Sequence, residues 1–360
     1  MNIRDLVRPE LEGLIKYEPG EDRDDHIKLS SNENPRPPHP RIVEAVTRAL
    51  ETANRYPVSG SPRLTEVLAH RHDLTVDDVM VGNGSNEIID LLVRAFIAPG
   101  ENAVFPVPSF IVYGLIPKIC GVEAKAVPCR DYRLDLPAMR DAIDDKTRMV
   151  FICNPNNPTS TYLNAAEVDE FLDGLREDVL VVMDEAYYEY VDAPDFPDSI
   201  ALQKQRNTII TLRTFSKFYA IAGVRVGYAV ADPVVIDLLH RVRQPFNVSS
   251  IAEAAGIAAV EAAAELLPMA RETIEERARV REALLELGMI CPVSQTNFVF
   301  ADLGESDLDL YAALADRGVI VRRMGQFGAS KNSYRISIGT PGENDRLLDA
   351  LRETYSGPAA

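Results

Sequence analysis

Hydrophobic positions in this chain follow two alternating patterns. Short runs that are apolar almost throughout recur at Val79–Val81, Ala103–Phe105, Glu123–Val127, Met149–Cys153, Val179–Met183, Thr208–Leu212 and Val226–Val230. Helical periodicity fills many of the gaps, at Asn86–Ala98, Ser109–Ile119, Leu136–Ile143 and Ala165–Leu175. Runs without polar alternation mean strands covered on both faces. With helical crossovers between them they predict an α/β fold with a mostly parallel seven-stranded sheet flanked by helices. Upstream, one helix carries Ile42, Val43, Val46 and Leu50 on one face, and a second spans about Pro62–His72. From Ile251 to Leu287 the chain is Ala- and Glu-rich and helical, with Pro268 expected to kink or split it. A smaller α/β unit follows. Its expected strands are Asn297–Ala301, Val319–Val321 and Tyr334–Ile338, and its helices Leu308–Arg317 and Asn344–Tyr355. The expected organisation is an N-terminal arm (1–30) packing with the small domain, a large domain (31–250), a connecting helix (251–287) and a small C-terminal domain (288–360), with a cleft between the two domains.

Composition fits this picture. Of 360 residues, 46% are apolar and 26% charged, enough for a sizeable core without disulfide staples. The four cysteines have no C-x-x-C spacing and lie in or beside apolar runs, as core thiols of a reducing compartment would. The five histidines form no metal-ligand motif, and His70 and His72 read as surface residues, so no metal site is expected. A net charge of −17 argues against nucleic acid and anionic membrane as partners. It also means that an anionic small molecule must be caught by local arginines. The N-terminus lacks a signal-peptide core, and no stretch approaches the roughly 18 apolar residues of a membrane span. A cytoplasmic location is expected.

In a parallel α/β sheet ligands collect at the carboxyl ends of the strands, and the residues with chemical potential sit there. Thr208–Leu212 gives out into Arg213-Thr214-Phe215-Ser216-Lys217, and Arg225 follows eight positions later. A partly desolvated lysine loses its proton readily and becomes a nucleophile toward carbonyls. Ser216 and Arg225 offer a phosphate group a hydroxyl and a planar cation. An amine beside a phosphate seat points to pyridoxal phosphate held covalently by Lys217. Gly82-Asn83-Gly84-Ser85-Asn86 follows a strand and opens a helix, so its free N–H groups form a phosphate cup. Phe110 follows Pro106-Val107-Pro108-Ser109 and can lie on a planar ring. Asn157, in Asn154-Pro155-Asn156-Asn157-Pro158-Thr159, can donate to a ring oxygen. Asp184 ends the strand before Glu185-Ala186-Tyr187 and can pair with a protonated ring nitrogen, while Tyr187 can donate to the phenolic oxygen. Arg335 sits among apolar neighbours in a strand, and Arg322-Arg323 offers further cations for an anionic substrate.

Taken together, Asn-Glu-Asn-Pro, Arg-Tyr-Pro, Gly-Ser-Asn-Glu, Asn-Pro-Asn-Asn-Pro-Thr, Asp-Glu-Ala-Tyr, Phe-Ser-Lys, Gly-x-Arg-x-Gly-Tyr and Arg-Ile-Ser-Ile-Gly-Thr, in that order, resemble the fold-type I pyridoxal-phosphate-dependent aminotransferases. Within them the chain is most similar to the histidinol-phosphate aminotransferases, and the resemblance spans nearly its whole length. It implies ping-pong transamination between L-histidinol phosphate and 2-oxoglutarate. Lys217 would hold the cofactor and shuttle a proton, and Asp184 would pair with its ring nitrogen. Asn157 and Tyr187 would bind the ring oxygen, and Phe110 would stack. Gly84, Ser85, Asn86, Ser216 and Arg225 would hold the phosphate, and Thr214 would also contact the cofactor. Tyr56 would reach that phosphate from the neighbouring subunit of a homodimer. Arg335 and Arg322 would bind the substrate anion, with Tyr17 and Asn34 nearby.

Two positions depart from the family pattern. Phe110 stands where a tyrosine is usual, as in relatives that favour aromatic amino acids, and Ser160 stands where Asn-Pro-Thr is usually followed by glycine. An aromatic amino acid aminotransferase is therefore the alternative reading, ahead of a threonine-phosphate decarboxylase-like lyase. A pyridoxal-phosphate-dependent regulator would need a basic DNA-binding domain, and residues 1–30 are too few and too acidic for one.

Overall fold

The computed structural model describes residues 2–11, 14, 21 and 23–355. Tyr17 and the tail 356–360 lie outside the described residues. Among the described residues twelve strands appear in chain order: β1 (Ile27–Lys28), β2 (Val79–Gly82), β3 (Asn102–Val107), β4 (Glu123–Pro128), β5 (Thr147–Cys153), β6 (Leu180–Asp184), β7 (Ile209–Thr214), β8 (Gly227–Val230), β9 (Phe298–Asp302), β10 (Val319–Ile320), β11 (Arg322–Arg323) and β12 (Ser333–Ser337).

The seven apolar runs become one seven-stranded sheet in the order β2-β8-β7-β6-β5-β3-β4. All pairings are parallel except those of β8, which runs against both β2 and β7. Successive residues of the central strands enter different cores. Met149 and Phe151 meet Ile88, Ile89, Leu92 and Tyr113 on one face. Val150 and Ile152 meet Met139, Val168 and Phe171 on the other. This burial of both faces is why the runs lack polar alternation. A third core joins helices Pro40–Leu50, Pro62–Arg71 and Ser250–Glu261 to β2 and β8. In the C-terminal part, β11-β12-β9 form an antiparallel sheet, β1 pairs in parallel with β10, and a separate core gathers Ile27, Leu29, Val280, Leu284, Ile336 and Leu347. Among the described residues no helix is long and apolar enough to cross a membrane.

Four details differ from the sequence expectation. The long helix divides at Ala262, between Ser250–Glu261 and Ala263–Glu286, and Pro268 lies inside the second piece. A proline disturbs the turn N-terminal to itself, so the break is displaced upstream. In the helix Pro40–Leu50, Val43 and Leu50 are exposed, while Ile42, Ala45 and Val46 meet the core. At 100° per residue the centre of that face lies between Ile42 and Ala49, which leaves Val43 and Leu50 off to one side. His72 is half-buried rather than a surface residue. Its Nε2 lies 2.9 Å from the Tyr228 hydroxyl, and burial depresses its pKa to about 4. The N-terminal arm does not pack with the small unit alone. Arg8 and Glu10 lie over Gly121, at the end of the helix Val112–Cys120 on the large sheet, while His26 reaches the Ala315 carbonyl and Ile27–Leu29 lie along β10 and in its core.

Candidate active site

The register of the large sheet brings the predicted residues together. Gly82 is opposite Gly227, which is opposite Thr214, and Cys153 is opposite Asp184, which is opposite Leu212. The ends of β2, β5, β6 and β7 therefore share one edge with the start of β8, and the loops carrying Gly84, Asn157, Tyr187, Lys217 and Arg225 all leave from it.

The phosphate-cup residues converge. Gly84 has φ +77°, and a Cβ there would come within 2.5 Å of Arg225 Nη2, so only glycine lets the guanidinium lie against the backbone. Gly227 plays a similar part, because a Cβ would lie 2.6 Å from Ser85 N. The helix Ser85–Phe96 begins at Gly84 with no side-chain cap, leaving first-turn N–H groups, including those of Ser85 and Asn86, for an anion. Thr214 Oγ1 accepts from Ser216 N at 3.1 Å and donates to Ser216 Oγ at 3.0 Å, and Arg225 Nη1 donates to the same Oγ at 3.4 Å. Ser216 Oγ thus accepts twice, and its own hydrogen is left to point outward. Ser216 also lines a cavity of about 590 Å³ shared with Lys28, Glu33, Asn34 and Gly223.

Lys217 is half-buried, its Nζ 3.3 Å from the Ser31 carbonyl and 5.8 Å from the centre of the Tyr187 ring. Loss of water, reinforced by the nearby charges of Arg335 and Arg225 against Glu33, lowers its pKa to about 7. A neutral amine is therefore well populated at neutral pH. Asp184 is 3% exposed. Burial pushes its pKa up, and donors from Tyr113 Oη at 2.6 Å and Ala186 N at 3.2 Å hold it down. Among the described residues Asp184 has no ion-pair partner, the setting for a ligand that brings its own cation. Phe110 meets Tyr113 edge-on at 5.6 Å, and Tyr113 stacks on Phe151 at 4.8 Å.

Arg335 Nη1 donates to Asn157 Oδ1 at 2.7 Å and Nη2 to the Ser30 carbonyl at 2.6 Å. Arg322 is directly opposite Arg335 in the β11–β12 pair, so both side chains leave the same face. The Arg322 guanidinium lies 5.2 Å over the Phe327 ring. Asn34 sits beside Lys217, but its amide donates to the carbonyls of Lys217 and Phe218, which turns it toward backbone rather than open space. Tyr56 is 82% exposed and stacks on Phe246 at 4.7 Å, outside its own chain's cluster. Two contributors escaped the sequence reading. Tyr113 looks like a helix-face aromatic, and Asn32 lies in a loop where Asn34 drew notice. Asn32 Nδ2 is 3.0 Å from the Tyr187 hydroxyl. Among the described residues no cluster of three or more His, Cys, Asp or Glu could hold a metal ion.

The model of the family aminotransferase class I and II matches residues 24–351. The chain belongs to that family. These aminotransferases are pyridoxal-phosphate-dependent transaminases, and pyridoxal phosphate is this enzyme's cofactor. A histidinol-phosphate aminotransferase 2 of Pseudomonas fluorescens Pf-5 is 42% identical over 362 residues, covering 98% of each chain. An aromatic amino acid aminotransferase of Mycolicibacterium smegmatis is 41% identical over 349 residues, covering 97% of this chain and 95% of its own. The solved structure of histidinol-phosphate aminotransferase from Sinorhizobium meliloti, in complex with pyridoxal-5'-phosphate, superposes with TM-score 0.87 at 26% identity and covers 97% of each chain. The aminotransferase fold explains the mostly parallel sheet, and the uncapped helix, the Ser216 hydroxyl and the unpaired Asp184 suit the cofactor's phosphate and ring nitrogen.

Proposed function

We propose that this aminotransferase uses L-histidinol phosphate as amino donor and 2-oxoglutarate as acceptor, yielding imidazole-acetol phosphate and glutamate in histidine biosynthesis. The observation that carries this reading is the pair Arg322 and Arg335 on one face, next to Asn157. Two cations at cross-strand distance repel each other and together favour a phosphate or carboxylate anion. The Pseudomonas fluorescens relative, whose name gives this activity, supports it.

Pyridoxal phosphate, when bound, supplies an aldehyde for the amino group and a cationic ring that draws electrons from the substrate's α-carbon. The chain's residues do the rest. Lys217 Nζ, poised to be neutral near pH 7, would take a proton from that carbon and deliver it to the carbon that carried the cofactor's aldehyde. Asp184 offers its buried carboxylate to the ring nitrogen and keeps that nitrogen protonated. Asn157 and Tyr187 bind the ring oxygen, and Phe110 covers a ring face. Gly84, Ser85, Asn86, Thr214, Ser216 and Arg225 hold the phosphate. The enzyme acts as a homodimer in which Tyr56 of each subunit completes the other's phosphate site. The exposed Tyr56–Phe246 stack and the exposed Val58 support such a contact. The large domain spans 31–250 and the small one 288–360, with substrate between them.

A second reading, an aromatic amino acid aminotransferase, is favoured by Phe110 and by the Mycolicibacterium smegmatis relative. A donor panel on the cofactor-loaded protein separates the two. With 2-oxoglutarate fixed, kcat/KM for histidinol phosphate should exceed that for phenylalanine and for unphosphorylated histidinol at least tenfold. Phenylalanine in the lead overturns the proposal in favour of the second reading.

A further inference from the structure

The segment that leaves β1 runs through the centre of the site. The Ser30 carbonyl accepts from Arg335, the Ser31 carbonyl from Lys217, and the Asn32 side chain meets Tyr187. Asn32 is buried and has φ +54°, a conformation asparagine tolerates better than most residues. Its own carbonyl accepts from Asn297 Nδ2 at 3.0 Å, which ties the segment to the start of β9.

The hydrogens in this network can be placed by elimination. The backbone N–H of Asn32 donates to Ser337 Oγ at 2.8 Å. Among the described residues Asn32 Oδ1, 3.2 Å away, is the acceptor that the hydroxyl hydrogen of Ser337 has, and a turned amide would leave that buried hydrogen with none. With Oδ1 so assigned, the group facing Tyr187 Oη at 3.0 Å is Nδ2, which only donates. The phenol oxygen therefore accepts there, and its own hydrogen must point elsewhere. The same reasoning applies to Asn157. Arg335 has no acceptor, so Asn157 Oδ1 takes its N–H and the amide Nδ2 is turned away from it.

We propose that Asn32 is a positioning residue that fixes the Tyr187 phenol as a hydrogen-bond donor, so that Tyr187 Oη and Asn157 Nδ2 form a two-donor seat for the ionised phenolic oxygen of the cofactor ring. The inference rests on the cofactor and not on which amino donor the enzyme uses. The surroundings keep the Tyr187 phenol protonated and able to donate. Burial pushes its pKa up, only partly offset by the charge of Arg335, and Lys217 Nζ lies 5.8 Å from the ring centre. The edge-on Phe298 ring at 5.1 Å keeps the phenol in place.

Asn32→Asp tests the assignment, since it keeps the shape and tolerates the backbone but presents an acceptor. The carboxylate would then claim the Tyr187 hydrogen. Two readouts need no turnover: binding of pyridoxal phosphate to the cofactor-free protein, and the pH at which the visible absorbance of the loaded enzyme changes. Asn32→Asp should weaken binding about tenfold. It should also move the absorbance change to higher pH, because a donor favours the ionised oxygen. In a Tyr187→Phe background the same substitution should cost less than threefold and move nothing further. Equal losses in both backgrounds, or none in either, would overturn the proposal. Ser337→Ala guards against a folding defect. It leaves Asn32 and Tyr187 in place but frees the amide to turn, so a smaller upward move of the absorbance change is expected, and no move refutes the proposal.

Discussion

Ser160 stands in the left-handed region, φ +64°, fully buried, and its Oγ finds no hydrogen-bond partner among the described residues. Its backbone is held there from both sides: N donates to the Asn156 carbonyl at 2.8 Å, and O accepts from Gln295 N at 3.0 Å. A side chain in this conformation costs about 1–2 kcal/mol, and a buried unpaired hydroxyl costs about 1–3 kcal/mol. Ser160→Ala removes only the second cost and should stabilise the enzyme by about 1 kcal/mol. Ser160→Gly removes both, less about 0.5–1 kcal/mol for the freer unfolded chain, for a net gain of about 2 kcal/mol. Urea unfolding of the loaded enzyme, at fixed protein and cofactor concentration, should rank glycine above alanine above serine. An alanine variant weaker than wild type would mean that the hydroxyl has a partner. A glycine variant no stronger than alanine would mean that the backbone carries no strain.

Two further predictions concern ionisation. Tyr113→Phe removes the 2.6 Å donor that offsets the burial of Asp184. The carboxyl should then protonate at higher pH, and the acid limb of kcat should move up by about one pH unit, the worth of one hydrogen bond to a charge. An unmoved limb would separate Tyr113 from the reaction. Lys217, with its pKa lowered to about 7 in the cofactor-free fold, binds its proton less tightly folded than unfolded. The unfolded chain therefore holds the extra proton between about pH 7 and lysine's usual ~10.4, and stability rises with pH across that window. Relative to Lys217→Met, the cofactor-free wild type should gain on the order of 2 kcal/mol between pH 7 and 9.5 by urea unfolding. A flat or falling difference contradicts a desolvated amine.

The large sheet was readable because its inner strands are buried on both faces, which leaves an unbroken apolar run that other local structures rarely produce, while the edge strand β4 is largely exposed. The residues at strand ends were readable for a related reason, since β6 and β7 give out into polar side chains. Partners separated by long stretches of chain were not readable. Asn32 and Asn34 look alike in an Asn- and Pro-rich loop, and only the approach of Tyr187, 155 positions away, separates their tasks. Tyr113 shows the apolar spacing of its helix and nothing of the carboxylate beside it. The break at Ala262 and the exposure of Val43 depend on which neighbour a helix meets, which a periodic pattern does not encode.

One reversed strand has a consequence for how this enzyme can vary. Were every strand parallel, each loop on the working edge would begin there and return on the far side. Because β8 runs the other way, the loop 215–226 both starts and finishes at that edge, and it carries Ser216, Lys217 and Arg225. Hydroxyl, amine and guanidinium thus share a span pinned at both ends by adjacent strands. Length added inside that span would slide the amine away from the anion seat. The crossovers on the opposite side can lengthen without the chemistry noticing, so inherited insertions should accumulate there.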